Sequence, residues 1–181
     1  DAGSRGPPLK PAPQYSVHDK QQAVLQSDAR YRVCRWGRRA GKNVTGAIDV
    51  VEYARQPWAS QWGPDDPRDV LVWWVGPTYD QANKHGYDKI DSAVPNAWIA
   101  DYSESKPYYI ELVNGARVEF RTFDRPKSLQ GEGVDRIVLD EADQMREGIW
   151  YGDLEPMLLD TRGSALFISK PYRPRSWFHR F

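Results

Sequence analysis

Four scarcities narrow the problem before any motif is read. The 181 residues contain one cysteine, Cys34, so no disulfide can close within the chain, and with only 3 histidines there is no Cys/His cluster of the kind that holds structural zinc. Neither sign of charge prevails. The 25 basic residues balance 25 acidic ones, which excludes a global polycation for nucleic acid or acidic membranes and leaves only local basic surfaces for such contacts. Long apolar runs are also missing: Val70 to Val75 falls far short of the roughly 18 residues a membrane helix needs. The N-terminus carries no apolar core of a signal peptide, so the expectation is a soluble, cytosolic protein with no membrane association. What is present, 40% hydrophobic residues with 8 Trp, 10 Tyr and 5 Phe, suffices for the core of one domain, in a chain too short for two of ordinary size.

The local patterns alternate between strand and helix. Residues 1–16, with prolines at 7, 8, 11 and 13, read as an extended arm, and 17–181 as the folded domain. His18 to Ser27 favours helix and Tyr31 to Trp36 a short strand. In Lys42 to Arg55, Val44, Ala47, Ile48, Val51 and Ala54 recur at helical spacing until Pro57. Pro57 to Asp69 reads as a surface loop, and Val70 to Val75 as a strand buried on both faces. Thr78 is a candidate N-cap for a helix over Tyr79 to Ile90 despite Gly86. Tyr108 to Thr122 alternates about Asn114-Gly115, and a three-residue loop of Val113-Asn114-Gly115 pairs Ile110 with Val118, with Gly115 left-handed. Ile137 to Leu139 and Ala165 to Ile168 are two further short strands, and between them Trp150 to Leu159 reads as a helix interrupted by Pro156. The pattern implies an α/β fold, a mainly parallel sheet with an added antiparallel hairpin.

Two constellations carry chemistry. Trp36-Gly37-Arg38-Arg39-Ala40-Gly41-Lys42-Asn43 lies between a predicted strand and a predicted helix, where backbone N–H groups cradle phosphate and a lysine reaches its outer oxygens. The general pattern expects Gly at Trp36 and Ser or Thr at Asn43, and an ordinary turn into a basic helix start is the alternative. Asp135-Arg136-Ile137-Val138-Leu139-Asp140-Glu141 is an apolar strand ending in adjacent carboxylates: Asp140 suits Mg²⁺, and Glu141 suits a general base for water. Acids at a helix start are the alternative there. Together, in this order, the two point to a P-loop nucleotide-binding fold.

At these residues the chain resembles the large terminase subunits of tailed double-stranded DNA viruses, ATPases that pump genomes into capsids. Val17-His18-Asp19-Lys20-Gln21 looks like the family's adenine-recognising glutamine motif, and Gly37-Arg38-Arg39-Ala40-Gly41-Lys42 is similar to its Arg-containing phosphate loop, in which the first Gly is commonly absent. Val75-Gly76-Pro77-Thr78 resembles the segment after the second core strand. Val118-Glu119-Phe120-Arg121 and then Ser128-Leu129-Gln130-Gly131-Glu132-Gly133 resemble the approach to Asp140-Glu141, and Ala165 to Pro171 resembles the coupling motif. Lys170 is a departure, since Thr or Gly is more usual there, and Asn43 is another.

The resemblance implies a RecA-like ATPase of the ASCE type, with the C-terminal nuclease of terminases absent from this chain. It implies Mg²⁺ and ATP at the site, and as partners double-stranded DNA, portal protein, small terminase subunit and further copies in a homo-oligomeric ring on the procapsid, in host cytoplasm. Gln21 would read adenine; Gly37, Arg38, Arg39, Ala40, Gly41, Lys42 and Asn43 would form the phosphate loop, with Arg38 acting on the γ-phosphate. Lys42 neutralises phosphate charge, Asn43 offers a carbonyl oxygen to the metal beside Asp140, and Ser169 senses the γ-phosphate. Arg121, Arg125 and Arg136 are candidates for a finger supplied to a neighbouring subunit. No histidine is assigned to a metal. Two other readings stand beside this one: a DEAD-box-like helicase fragment, because Asp140-Glu141-Ala142-Asp143 spells that motif, and a nucleotide-binding assembly module that does not hydrolyse.

Overall fold

The computed structural model describes residues 14–56, 69–129, 131, 133–171 and 177–180. Residues 57–68 of the loop expected over Pro57 to Asp69, and 1–13 of the expected N-terminal arm, lie outside them, as do positions 130 and 132 in the expected approach to the acidic pair. Among the described residues, seven strands form one sheet: β1 (Tyr31–Arg35), β2 (Leu71–Gly76), β3 (Ile99–Ser103), β4 (Tyr109–Leu112), β5 (Arg117–Thr122), β6 (Arg136–Asp140) and β7 (Ser164–Ser169), in the order β1-β7-β6-β2-β5-β4-β3. Contacts from β1 through β5 are parallel, and β4 and β3 are added antiparallel. The hairpin closes as its spacing implies, with Ile110 opposite Val118 and Gly115 at φ 86°.

The continuous apolar strands are explained by two cores. Val72, Trp74, Val138, Leu166 and Ile168 face one side of the sheet, where α2 (Lys42–Ala54) and α4 (Asp88–Ala93) cover them. Trp73, Val75, Ile137, Leu139, Ala165 and Phe167 face the other, against Ile149, Trp150, Leu154 and Leu158 from α5 (Glu147–Ile149), α6 (Glu155–Asp160) and the turn joining them. The central strands β2, β6 and β7 bury successive residues on both faces, whereas β5 buries one face and carries Arg117, Glu119 and Arg121 on the other. The N-terminal helix α1 (Asp19–Leu25) starts at His18, whose Nδ1 accepts from the Gln21 N–H while the Gln21 side chain accepts from the His18 N–H.

Trp74 accounts for two glycines in helices. A Cβ at Gly46 of α2 would lie 2.9 Å from the Trp74 ring and one at Gly86 only 2.7 Å from it, so the indole fits a slot that any larger residue would close. Gly86 falls in a π turn, Asn83–Tyr87, between α3 (Tyr79–Ala82) and α4, and the whole helix runs on to Ala93 rather than ending near Ile90. Thr78 caps it, accepting from Gln81 N at 3.2 Å. The second helical stretch departs from expectation too. It is continuous from Glu147 to Asp160, because the turn Trp150–Leu154 is a π turn and Pro156 then falls in the first turn of α6, where its missing N–H is not needed. No described helix is long and apolar enough to cross a membrane.

Candidate active site

The C-terminal ends of β1, β6 and β7 converge on one cleft. β1 runs into the turn 36–41, where Arg39 (φ 60°) and Gly41 (φ 77°) are left-handed, and α2 begins at Lys42 with Gly41 as its N-cap. The cleft, about 420 Å³, is lined by Arg38, Arg39, Lys42, Lys89 and Lys170 with Glu141 as the facing acid, and His85 and Asn43 complete its wall. So cationic a concavity beside a helix N-terminus is suited to a polyanion.

Lys42 is buried, with 6% of its surface exposed, and its Nζ donates to the Gly37 carbonyl at 3.0 Å. Burial pulls its pKa below the usual lysine value, opposed by the carboxylates of Glu141 and Asp140. Asp140 at the tip of β6 is fully buried. Its Oδ2 lies 2.7 Å from His85 Nδ1 and accepts from Asn43 Nδ2 at 3.4 Å. A carboxylate only accepts, so the first of these bonds requires the proton on His85 Nδ1. Its Oδ1 is buried without a hydrogen-bond partner in the described structure. That leaves a lone-pair site for a cation or its water, so the residues fit Mg²⁺, with Asp140 as the anionic ligand. Asn43 stands beside it, though its amide nitrogen rather than its carbonyl oxygen faces Asp140. Among the described residues no group of three or more His, Cys, Asp or Glu is placed to hold a metal ion.

Glu141 follows Asp140 in a left-handed conformation, φ 51° and ψ 44°, and its carboxylate receives Lys170 Nζ at 2.8 Å. A non-glycine residue held there costs about 1–3 kcal/mol, and such residues gather at functional sites. Ser169 is fully buried; its Oγ accepts from Asp143 N–H at 3.3 Å and its carbonyl from Trp36 N–H at 3.2 Å. The end of β7 is thereby tied to both the phosphate loop and the acidic turn.

Not every expected residue faces the cleft in the expected manner. Gln21 is 5% exposed, and its amide is engaged within the fold: Nε2 donates to Gly41 O at 3.3 Å and to Thr45 Oγ1 at 3.0 Å, while Oε1 accepts from His18 N at 3.1 Å. As placed, it braces the phosphate loop instead of presenting a free edge to adenine. Arg136 starts β6, at the far end of the sheet from Asp140, and is committed to Asp49 through Nε at 2.9 Å and Nη2 at 2.6 Å. That pairing takes it out of contention as a finger. Arg121 lies at the cleft end of β5 but pairs with Glu119 over the Trp73 ring, and Arg125 is exposed just beyond it. His85, Lys89 and the pairing of Lys170 with Glu141 escaped the sequence reading. His85 is 55 residues from Asp140, and only the π turn and the strand order bring the two together.

The architecture is a RecA-like P-loop fold: a mostly parallel sheet, a loop and helix after its first strand, and an acidic turn after a strand two places away. No family model matches the chain. The chain is 28% identical over 186 residues to the terminase large subunit of Thermus phage G20c and 29% identical to that of Thermus virus P23-45, each match covering 92% of this chain. The chain spans only 36% of either relative. The ATPase domain of the large terminase of Thermus phage P74-26 superimposes with a TM-score of 0.71 at 24% identity, over 92% of this chain and 69% of that one. The large terminase of another thermophilic bacteriophage, solved in complex with ADP, gives 0.67 at 20% identity, over 88% and 40%. In sequence the chain resembles terminase large subunits, and its fold is that of their ATPase domains.

Proposed function

We propose that this chain is the ATPase motor domain of a terminase large subunit, hydrolysing Mg·ATP to drive double-stranded DNA into a procapsid. The observation that carries the reading is the cationic cleft lined by Glu141, behind whose lining residues His85 and Asn43 lies buried Asp140 with an Oδ1 that has no hydrogen-bond partner. The phosphates lie along the Gly37–Asn43 turn, where Lys42 turns from the Gly37 carbonyl to their oxygens and Arg38 stabilises charge on the γ-phosphate. Asp140, with Asn43 beside it, would hold Mg²⁺, which would supply positive charge against that of the phosphates. Glu141 takes a proton from water as the water oxygen bonds to the γ-phosphorus; the bond from that phosphorus to the bridging oxygen breaks, and ADP leaves with its electron pair. Ser169 reports loss of phosphate through its ties to the turn 141–143 and to Trp36. Arg121 or Arg125 serves a neighbouring subunit in a homo-oligomeric ring at the portal, with the small terminase subunit as a further partner, in host cytoplasm.

Mg·ATP hydrolysis measured across a wide range of protein concentration tests this. Specific activity should rise with concentration as neighbours complete the site. In Glu141→Gln it should fall by about 10²–10⁴-fold with nucleotide still bound. Turnover at the unsubstituted rate in that variant removes Glu141 from the mechanism, and nucleotide binding without turnover under every assembly condition favours a non-hydrolysing module.

A further inference from the structure

Among the described residues, Lys170 is the cleft cation whose charge is set directly against the proposed base. Its Nζ sits 2.8 Å from Glu141 Oε1, and its side chain is 35% exposed where that of Glu141 is 9% exposed. The two partners differ in freedom. Glu141 is fixed by its left-handed backbone and by burial, whereas Lys170 swings on a flexible four-carbon stem. Its root is anchored nonetheless, because Ser169 before it is bonded to Trp36 at the phosphate loop and to Asp143 beyond Glu141. Lys170 shares the cleft with Lys42 and raises the local positive charge that disfavours Lys42's own. While the ammonium holds Oε1, it takes one of the lone pairs with which the carboxylate could accept from water.

We propose that Lys170 is a second phosphate lysine that neutralises Glu141 in the chain alone and transfers to the terminal phosphate of a nucleoside triphosphate, so that the base is uncovered only when a γ-phosphate is seated. This rests on the ATPase reading above. A diphosphate presents no oxygen at that depth and leaves the Lys170–Glu141 pair closed. One cation thus serves as the cover of the base and as the discriminator between triphosphate and diphosphate.

The test is competition of ADP and of ATPγS against a fluorescent nucleotide analogue, on the chain and on Lys170→Met, Lys170→Arg and Glu141→Gln. A charge-assisted bond to phosphate predicts that Lys170→Met weakens ATPγS by about tenfold and ADP by less than about twofold, with Lys170→Arg restoring most of the difference. Glu141→Gln removes the competing carboxylate, so ATPγS should bind more tightly, and that gain should vanish when Lys170→Met is added. Equal loss for both nucleotides, or no loss for either, overturns the proposal. Thermal unfolding of each variant separates a folding defect from a binding one, and Lys170→Arg keeps the test decisive if Lys170→Met is unstable. The ATPase reading fails separately, through nucleotide binding without turnover by the unsubstituted chain under every assembly condition, because the ADP to ATPγS ratio is read without turnover.

Discussion

The two ends of the parallel strands both concentrate buried charge, and they dispose of it in opposite ways. At the N-terminal end, Asp49 of α2 receives Arg32 at 2.7 and 2.9 Å and Arg136 at 2.6 and 2.9 Å, so each of its oxygens accepts twice. Arg136 also holds Ser164 Oγ, and Arg32 the Val24 carbonyl, which knits β1, β6, β7, α1 and α2 together. That end is closed. At the C-terminal end Asp140 keeps one oxygen without a partner, and five basic side chains of the cleft wall face Glu141. Satisfied charge marks the part that holds the fold, and unbalanced charge marks the part that awaits a ligand.

Asp49→Ala breaks the closed end and should have the largest effect on stability. Two buried guanidiniums lose their shared carboxylate, so unfolding in urea should show a loss of about 3–5 kcal/mol. A loss under about 1 kcal/mol would mean that the network is no more than decoration. Gln21→Ala loosens the open end by removing the brace on Gly41 and Thr45, with about 1–2 kcal/mol lost and weaker binding of ADP and ATPγS alike. Unchanged affinity for both would show that the loop holds its shape unaided. The smallest effect sharpens the contrast from between the two ends. Cys34 on β1 is fully buried, and that burial pushes its thiol up to about 12, opposed by the smaller pull of Arg32 and Lys42 and aided by the Asp49 carboxylate. The folded value lies above the roughly 8.5 of an unfolded thiol, so the stability it contributes is complete below about pH 8.5 and is lost as pH rises toward the folded value. Alkylation at about pH 8.5 should be slower in the folded chain than in urea by at least about a hundredfold; comparable rates would place the thiol in reach of water.

The segments whose signals are local were legible in the sequence. The helix from Lys42, the two-sided strand at 71–76, the hairpin register about Gly115 and the carboxylate pair after β6 each follow from spacing within a short stretch of chain. What escaped depends on strand order, which no short window displays. β7 inserts between β1 and β6, and this alone sets Lys170 beside Glu141 and Arg136 against Asp49. Gln21 shows the same limit: its position before the phosphate loop is visible, but the direction of its amide depends on how α1 lies across α2. The π turns that aim His85 and admit Pro156 have no residue signature of their own.

Trp74, held between Gly46 and Gly86, has a mechanical meaning. The ring works as a key in a keyway: α2, which begins at the phosphate loop, and the helix that carries His85 grip the same plate from two sides and cannot slide independently. The two helices that reach the cleft are thereby packed on one ring. On the proposed ATPase function, what moves as nucleotide comes and goes would be left to the long side chains on the cleft rim, so that a stroke would begin with a small displacement at the tip of a lysine rather than with a bending of the sheet.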